Sequence, residues 1–343
     1  MALRTLFATV TALLLLSPAQ AGEAPSLPGP LVTAEWLAAH RDHVTILDAR
    51  TDLFTFEADP TAVGDDGETL SLGLCDSDPL EEESDGPRIR GHIPGAVHID
   101  RREIQQSEET PHGVVQWLLA DTETFQAVMR AAGVSNNRPV VVTGSGLSDS
   151  DVAEAARLVW ALRHYGHRQV ALLDGGSAAW DAAGHPIEAA VRRPPIPGDF
   201  TARPGTFSAD TAAVAAAAEG RGTRLVDTRP TSFYRGIFGR DYVRGKGHIP
   251  GAVNFPFSEL TEGNHAVRTR TPAFLKTPEA LATLAREAGI DTGGAAILYC
   301  NSGNQASLTW FVLHEVLGME NVRMYDGSLH AWTRDPTRQL VTP

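Results

Sequence analysis

The chain has 343 residues and a formal net charge of −13 at pH 7. A chain of this length predicts two domains, and the negative charge disfavours binding to nucleic acid or to an anionic membrane surface. An anionic small substrate would therefore need cations placed locally around its binding site.

The N-terminus has the pattern of a secretory signal peptide. Arg4 precedes an apolar run from Leu6 to Leu16, and residues 19–21 form a cleavage site of the Ala-x-Ala type. The apolar run is shorter than the ~20 residues that span a bilayer, and no later stretch is long enough. We therefore expect a signal peptide over 1–21, cleaved after Ala21, and a soluble exported protein that is periplasmic in a Gram-negative source.

The rest of the chain contains an internal repeat of three segment pairs in the same order. The pairs are residues 47–50 with 226–229, 91–97 with 247–253, and 170–180 with 322–332. The second pair is identical over seven residues, Gly-His-Ile-Pro-Gly-Ala-Val, and the third shares Asp-Gly followed by Trp. The repeat predicts an N-terminal domain over 27–190 and a C-terminal domain over 204–340, joined by a proline-rich linker over 191–203.

Each half alternates short apolar runs with helical stretches. In the first half, strands are predicted over Val44–Leu47, Val140–Thr143 and Val170–Leu173, with a helix over Val152–Leu162. Strands that alternate with helices indicate crossover connections around a mainly parallel sheet. The expected fold class is α/β, with a mainly parallel sheet flanked by helices in each of two tandem domains.

The first half also carries an acidic insert at about 59–86, which has no Lys or Arg. Like charges at this density predict a solvated, mobile loop. Calcium binding is a less favoured alternative, because the carboxylates lack the alternate spacing of a helix–loop–helix calcium loop.

Cys300 is the candidate nucleophile. It follows a predicted buried strand over 295–299 and precedes a predicted buried helix over about 306–317. The loop between them must curl at Gly303 so that backbone N–H groups point at the sulfur. Such a nest, with the positive end of a helix behind it, lowers the thiol pKa from its free value of about 8.5 and favours a reactive thiolate.

Only one other cysteine exists, Cys75 in the acidic insert. Because the protein is expected to be exported, a structural disulfide between Cys75 and Cys300 is the alternative to a reactive thiol. The position in the first half that matches Cys300 lies in 144–150 and has no cysteine. The N-terminal domain is therefore predicted to lack thiolate chemistry.

The order, duplication and asymmetry of these motifs resemble the two-domain rhodaneses, which are thiosulfate and 3-mercaptopyruvate sulfurtransferases. The resemblance covers essentially the whole mature chain. It implies a doubly wound α/β fold in each domain, a non-catalytic N-terminal domain, and Cys300 as the nucleophile. In such an enzyme the cysteine takes a sulfur from a small anionic donor, becomes a persulfide, and passes the sulfur to cyanide or another thiophilic acceptor. No metal and no organic cofactor are required, because the N–H groups of 301–307 would hold the anion.

The loop after Cys300 departs from the patterns of that family. Its uncharged residues Asn301, Ser302, Gly303, Asn304 and Gln305 are predicted to bind the substrate. Thiosulfate-preferring members usually carry Arg or Lys here, and mercaptopyruvate-preferring members usually show Cys-Gly-Ser-Gly, so the donor stays open between the two. The resemblance also implies donor-binding arginines before Gly247. Arg235 and Arg244 are the candidates, and a solvated surface charge is the alternative for each.

The alternatives to this enzyme are a sulfur carrier and a tyrosine phosphatase. The uncharged loop and the acidic insert, which could dock a basic partner, support a sulfur carrier that a protein partner loads and that turns over small molecules poorly. A tyrosine phosphatase is disfavoured, because Ala306 stands where that chemistry needs an arginine. His248 is predicted to be structural, because its counterpart His92 recurs in the half without the cysteine, and the same argument applies to Asp326 and Trp332.

Overall fold

The computed structural model describes residues 26–60, 87–190, 194, 196–263, 269–291 and 293–343. The predicted signal peptide, Cys75 and nearly all of the acidic insert lie outside these residues. Within the described ranges, no helix is long and apolar enough to cross a membrane.

The regular elements follow the predicted alternation of strands and helices. The strands in chain order are β1 (Leu31–Val32), β2 (Thr45–Asp48), β3 (Val97–His98), β4 (Gln105–Thr110), β5 (Gly113–Leu119), β6 (Val140–Thr143), β7 (Val170–Leu173), β8 (Thr223–Asp227), β9 (Val253–Asn254), β10 (Ala295–Tyr299) and β11 (Val322–Met324). The α-helices are α1 (Ala34–His40), α2 (Leu53–Glu57), α3 (Thr122–Ala131), α4 (Asp149–His164), α5 (Gly176–Ala182), α6 (Thr211–Ala218), α7 (Thr231–Tyr234), α8 (Pro278–Glu287), α9 (Asn304–Trp310) and α10 (Ser328–Trp332).

Each domain has its own parallel sheet, and the two sheets share one strand order. The N-terminal sheet has the order β1-β7-β6-β2-β3, and the C-terminal sheet has the order β11-β10-β8-β9. Every pair within these two sheets is parallel. The central strands are buried on both faces, which is typical of parallel sheets covered by helices. The prediction of two tandem α/β domains is confirmed.

The third sheet is a hairpin that the sequence did not predict. Strands β4 and β5 pair antiparallel, with an irregular register between Gln106 and Glu108. The hairpin belongs to the N-terminal domain but extends to the C-terminal domain. There a Cβ atom added to Gly327 would lie 3.3 Å from Leu118 and 3.6 Å from Val115.

Helices α4 and α9 pack against each other between the two sheets and join the domains. The residues of α4 from Val152 to Leu162 are almost all buried, and every residue of α9 is buried. A helix that is apolar on all sides is normally surrounded by protein. Trp160 and Trp310 belong to one apolar cluster that runs through both domains. A continuous core of this kind opposes independent movement of the domains.

The helix predicted over 306–317 is present in two parts. It begins as α9 at Asn304 and continues as a π-helical stretch over Phe311–Val316. Both parts are rich in buried apolar residues, so the prediction of a buried helix is confirmed. The change to wider turns was not predicted from the apolar spacing.

Candidate active site

The position of Cys300 follows from that of β10. Strand β10 lies between β8 and β11, so its apolar residues are buried on both faces. Cys300 is the first residue after the strand and carries a buried thiol. Its backbone N–H donates to Ser328 Oγ at 3.1 Å, and its carbonyl accepts from the N–H of Leu329 at 3.2 Å. The start of α10 therefore fixes the backbone of Cys300 through both its N–H and its carbonyl.

The sulfur receives a backbone N–H, as the sequence predicted. The N–H of Gly303 donates to Cys300 Sγ at 3.0 Å. Ser328 Oγ lies 4.0 Å from the same sulfur, but it donates at 2.9 Å to the carbonyl of Tyr325. A donor aimed at the sulfur favours its anionic form over the neutral thiol.

Gly303 is required at this turn by its backbone and by its surroundings. Its φ is +94°, in the left-handed region that favours glycine. A Cβ atom here would lie 2.6 Å from the carbonyl oxygen of Asp326 and 3.0 Å from Arg157 Nη1. A side chain would therefore displace either the turn or Asp326.

A buried arginine links the repeated motifs to the loop. Arg229 binds Asp227 through Nε and Nη2, and its Nη2 also donates to the carbonyl of Gly247 at 2.7 Å. Its Nη1 donates to the side-chain oxygen of Asn301 at 3.3 Å. Burial disfavours its charge, but Asp227, with smaller contributions from Tyr299 and Cys300, raises the pKa of Arg229 above its ordinary value. Because this coupling is mutual, Arg229 favours a negative charge on Cys300.

Tyr299 holds the second motif against the strand that leads to the nucleophile. Its hydroxyl accepts the N–H of Ile249 at 3.0 Å. Burial, followed by the charge of Asp227, raises the pKa of Tyr299 well above its ordinary value. The Gly-His-Ile-Pro-Gly turn is thereby fixed against the last residue of β10, which precedes Cys300.

The histidine of that turn has the structural contacts that the repeat suggests. His248 stacks on Tyr234, with ring centroids 3.8 Å apart, and its Nδ1 lies 2.9 Å from the Tyr234 carbonyl. In the N-terminal domain, His92 stacks in the same way on Phe56 at 4.0 Å. Both histidines support the loop after the Asp-x-Arg motif.

The C-terminal domain binds the matching loop of the N-terminal domain through backbone hydrogen bonds. The loop carbonyls at Gly146 and Leu147 accept the N–H groups of Ala273 at 2.8 Å and Thr269 at 3.0 Å. Arg50 occupies the place of Arg229 and binds Asp48 at 2.7 Å. The framework of the site is thus present twice, but the cysteine is present once.

The predicted loop residues Asn301, Ser302, Gly303, Asn304 and Gln305 all lie at the start of α9. Apart from the glycine, their side chains are at least nine-tenths buried. Within the described residues, Asn304 Oδ1 and Gln305 Oε1 accept no hydrogen bond. The loop is therefore compact and polar, and substrate binding by these five residues stays a prediction.

The two predicted arginines lie at the surface of the C-terminal domain. Arg235 follows α7 and is exposed. Arg244 is also exposed, and its Nη1 donates to the carbonyl of Arg334 at 2.9 Å. Donor binding by these side chains stays a prediction.

The structure adds residues that sequence reasoning missed, and two come from the N-terminal domain. Trp117 of β5 packs against Tyr242 and His330, at 4.9 Å from each ring centroid. His330 in turn donates its backbone N–H to the carbonyl of Asn301 at 2.9 Å. Arg157 of α4 reaches the back of the loop. No sequence pattern could have placed these residues near Cys300, because nothing in the chain specifies the contact between the domains.

Comparison with known proteins agrees with this arrangement. The model of the Rhodanese-like domain family matches residues 33–183 and 210–335, once in each half of the chain. A Mycobacterium bovis protein with the provisional name thiosulfate sulfurtransferase 1 is 33% identical over 252 residues, covering 71% of this chain and 82% of that protein. A relative from Mycolicibacterium smegmatis with the same type of name is 34% identical over 253 residues, covering 71% and 82%.

A solved structure shows the same two-domain arrangement. SseA from Escherichia coli is described as a 3-mercaptopyruvate sulfotransferase with the rhodanese fold. It superposes with a TM-score of 0.65 at 28% identity, covering 88% of this chain and 98% of its own. Two matched domains and these relatives identify the reaction class as sulfur transfer. The chain belongs to the rhodanese family, as a sulfurtransferase built from two rhodanese-like domains.

Proposed function

We propose that the protein transfers a sulfur atom from thiosulfate or 3-mercaptopyruvate to cyanide or another thiophilic acceptor, through a persulfide on Cys300. The observation that carries the proposal is the hydrogen bond from the N–H of Gly303 to Cys300 Sγ at 3.0 Å. This hydrogen bond lies in the Cys300 loop. The matching loop of the N-terminal domain, residues 144–150, has no cysteine. The names of the relatives support the two donor classes.

The reaction has two balanced displacement steps. The Cys300 thiolate attacks the outer sulfur of thiosulfate, a new sulfur–sulfur bond forms, and sulfite leaves with the electron pair of the broken bond. Cyanide then attacks the terminal sulfur of the persulfide, thiocyanate leaves, and the thiolate is restored. With 3-mercaptopyruvate the carbon–sulfur bond breaks instead, and pyruvate leaves as an enolate that takes up a proton.

The surroundings of Cys300 suit an anion in both steps. Thiolate and persulfide each carry one negative charge, so a donor placed on the thiolate also serves the intermediate. Gly303 supplies such a donor, and the nearby charge of Arg229 acts in the same direction. Every part of this scheme comes from the protein chain and the two substrates.

The test is the replacement Cys300→Ser, assayed with each donor plus cyanide. Thiocyanate formation is expected to disappear with both donors. The intact wild-type protein, treated with donor alone, is expected to gain the mass of one sulfur atom on the peptide that contains Cys300. Wild-type protein that is inactive with both donors and gains no sulfur would refute the proposal.

The same mass measurement distinguishes an enzyme from a sulfur carrier that another protein loads. A carrier gains sulfur on Cys300 only when the partner is present. In that case, deleting residues 65–85 of the acidic insert weakens partner docking and leaves reactions with small donors unchanged. Thiol titration of the unfolded, unreduced protein tests the Cys75–Cys300 disulfide, which predicts no titratable thiol.

We infer that the anionic group of the donor binds near Arg235 and Arg244. Both are cations on the segment before Gly247, in a chain whose overall charge opposes an anion. Replacing either by Gln is expected to raise KM for the donor several-fold and to leave kcat nearly unchanged. Arg221, an exposed cation in the turn after α6, is the matched control.

We also propose that the protein acts outside the cytoplasm, after removal of residues 1–21. The support is the pattern of Arg4, the apolar run and the Ala-x-Ala site. N-terminal sequencing of the protein isolated from its source is expected to begin at Gly22. A cytoplasmic protein that retains Met1 or Ala2 would refute this.

A further inference from the structure

A buried ion pair crosses the domain interface behind the Cys300 loop. Arg157 belongs to α4 of the N-terminal domain, and its Nη2 lies 2.5 Å from Asp326 Oδ1 of the C-terminal domain. The side chains are 5% and 13% exposed, so both charges are largely removed from water. The guanidinium also lies over the ring of Trp160, 4.6 Å from its centroid. Asp326 Oδ2 accepts the N–H of Leu119 at 2.7 Å.

The ion pair touches the turn that presents an N–H to the sulfur. A Cβ atom on Gly303 would lie 3.0 Å from Arg157 Nη1 and 3.1 Å from Asp326 Oδ1. The N–H of the same glycine donates to Cys300 Sγ. Arg157 therefore lies behind the residue that contacts the sulfur.

The charge of Arg157 has no second acceptor among the described residues. Neither Nη1 nor Nη2 makes a hydrogen bond of good geometry there, so the contact with Asp326 is ionic. A guanidinium stays protonated at every working pH. Without it, Asp326 would be a partly buried carboxylate beside the loop that accepts the backbone N–H of Leu119.

We propose that Arg157 and Asp326 are a positioning pair for the chemistry of Cys300. Through it the N-terminal domain holds the Gly303 turn in place and cancels a carboxylate charge that would repel the sulfur anion. The inference rests on the proposed role of Cys300 as the reacting thiolate. It gives the N-terminal domain, which has no cysteine at the position that matches Cys300, a defined part in the reaction, because α4 supplies the cation.

The elements around the loop carry further charged or titratable groups. These are Asp149, Asp151, Glu154, Arg163 and His164 on α4, Asp227 and Arg229 at the end of β8, Tyr299 on β10, Arg323 on β11 and His330 on α10. Asp227 and Arg229 form a buried ion pair with 2.6 Å between Oδ2 and Nη2. Burial keeps Tyr299 neutral by raising its pKa. Burial also lowers the pKa of His164, with Asp326 opposing this shift and Arg157 adding to it. Removing Arg157 therefore leaves Asp326 as the uncompensated charge nearest to Gly303.

The experiment measures how fast iodoacetamide alkylates Cys300 across the pH range, read by mass spectrometry of the peptide that contains it. Arg157→Gln is expected to slow alkylation at pH 7 about tenfold and to move the midpoint of the profile to higher pH. The rate at high pH reports access to the sulfur, so it separates a steric effect from a charge effect. The double variant Arg157→Gln/Asp326→Asn is expected to regain most of the rate. Asparagine still accepts the Leu119 N–H but carries no charge.

Arg163→Gln is the matched control. Arg163 lies on the same helix and makes a second ion pair across the interface, to Glu315 at 2.7 Å. Its loss is expected to leave the alkylation profile unchanged. Should Arg157→Gln fail to fold, Asp326→Asn alone tests the same point, because it is expected to speed alkylation at pH 7 several-fold.

Profiles of Arg157→Gln or Asp326→Asn that coincide with the wild-type profile would overturn the proposal. So would a double variant as slow as Arg157→Gln alone. Alkylation needs no sulfur donor, so its outcome is independent of sulfur transfer. A protein with the expected alkylation pattern but no transfer from either donor refutes the proposed function and leaves the positioning pair standing.

Discussion

Asp326 of the C-terminal domain accepts the backbone N–H of Leu119 from the N-terminal domain, at 2.7 Å. The equivalent aspartate of the N-terminal domain makes the reciprocal contact: Asp174 Oδ1 accepts the N–H of Leu275 from the C-terminal domain at 3.0 Å. Each domain thus anchors a segment of the other at its own Asp-Gly motif. This exchange explains why the aspartate recurs in the half that lacks the cysteine, since its structural role is needed on both sides.

Replacing Gly303 by Ala is predicted to impair both folding and sulfur transfer. The new Cβ would meet the carbonyl of Asp326 at 2.6 Å, in a backbone conformation with φ of +94°. We expect a loss of about 2–4 kcal/mol in the free energy of unfolding from the combined overlap and strain. We also expect a rate of sulfur transfer below a tenth of wild type, because the N–H moves away from the sulfur.

Gly289→Ala is the control for backbone strain without steric overlap. Gly289 also has a positive φ, +74°, but a Cβ atom there meets nothing within 4 Å. Its replacement is expected to cost about 1 kcal/mol and to leave the transfer rate unchanged. Urea unfolding measures the free energy of unfolding, and steady-state assays measure the rate of sulfur transfer. Equal effects of Gly303→Ala and Gly289→Ala would contradict the prediction.

Tyr299→Phe is predicted to destabilise the protein by about 1–3 kcal/mol, because it leaves the buried N–H of Ile249 without an acceptor. Tyr325→Phe is the comparison. The hydroxyl of Tyr325 pairs with the side-chain hydroxyl of Thr211, which can turn to another partner or to water. A smaller loss is therefore expected at Tyr325, and urea unfolding of both variants decides the order.

The sequence was sufficient for the fold and for the local surroundings of Cys300, for identifiable reasons. The Gly-His-Ile-Pro-Gly repeat and the apolar runs are local signals, and each reports a local structure. The strand over 295–299, the buried helix after it and the turn at Gly303 are all of this kind. The repeat added the comparison between a half with the cysteine and a half without it.

The sequence was insufficient wherever the site depends on contact between domains. Arg157 appears as one of several charges on a helix with a long apolar run, and the hairpin strand with Glu108 and Glu109 has no apolar alternation. Arg157 and the hairpin contact residues around the Cys300 loop only because α4 and α9 pack together across the domain interface. The orientation of the Arg244 side chain likewise depends on the path of the C-terminal residues, because Arg244 donates a hydrogen bond to the carbonyl of Arg334.

The ion pair between Arg163 and Glu315 predicts a pH-dependent contribution to stability. Burial opposes the charge on Glu315, but the hydrogen bond from His314 and the charge of Arg163 outweigh it, so the pKa of Glu315 is lowered. A carboxylate with a lowered pKa in the folded state stabilises the protein above its unfolded pKa, and this is lost as the pH falls through the folded value. Glu315→Gln is therefore expected to cost about 1 kcal/mol at neutral pH and less in acid.

The measurement is urea unfolding of wild type and Glu315→Gln at neutral pH and near pH 3. Arg163→Gln is expected to give a smaller dependence in the same direction, since Glu315 then keeps its hydrogen bond from His314. A difference in unfolding free energy that stays constant between the two pH values would show that Glu315 acts by packing alone.

Trp117→Ala is predicted to increase access to Cys300. The sulfur-bearing residue is 0% exposed, so any donor needs a movement of the surrounding side chains. Trp117 contacts Tyr242 and His330, and His330 is bonded to the loop through Asn301. Removing the indole is expected to speed modification of Cys300 by a bulky maleimide several-fold, measured at a pH where the thiol is fully ionised.

Trp36→Ala controls for the loss of a partly buried tryptophan, because Trp36 stacks on His40 in the first helix and packs on the separate apolar cluster of the N-terminal domain. Trp117 also has a φ of +62°, which a bulky residue rarely adopts. Trp117→Gly is therefore expected to be more stable than Trp117→Ala by about 1 kcal/mol, since glycine accepts this conformation without strain. Equal maleimide rates in wild type and both Trp117 variants would mean that the hairpin does not limit entry, and that the movement needed for access lies in the Cys300 loop itself.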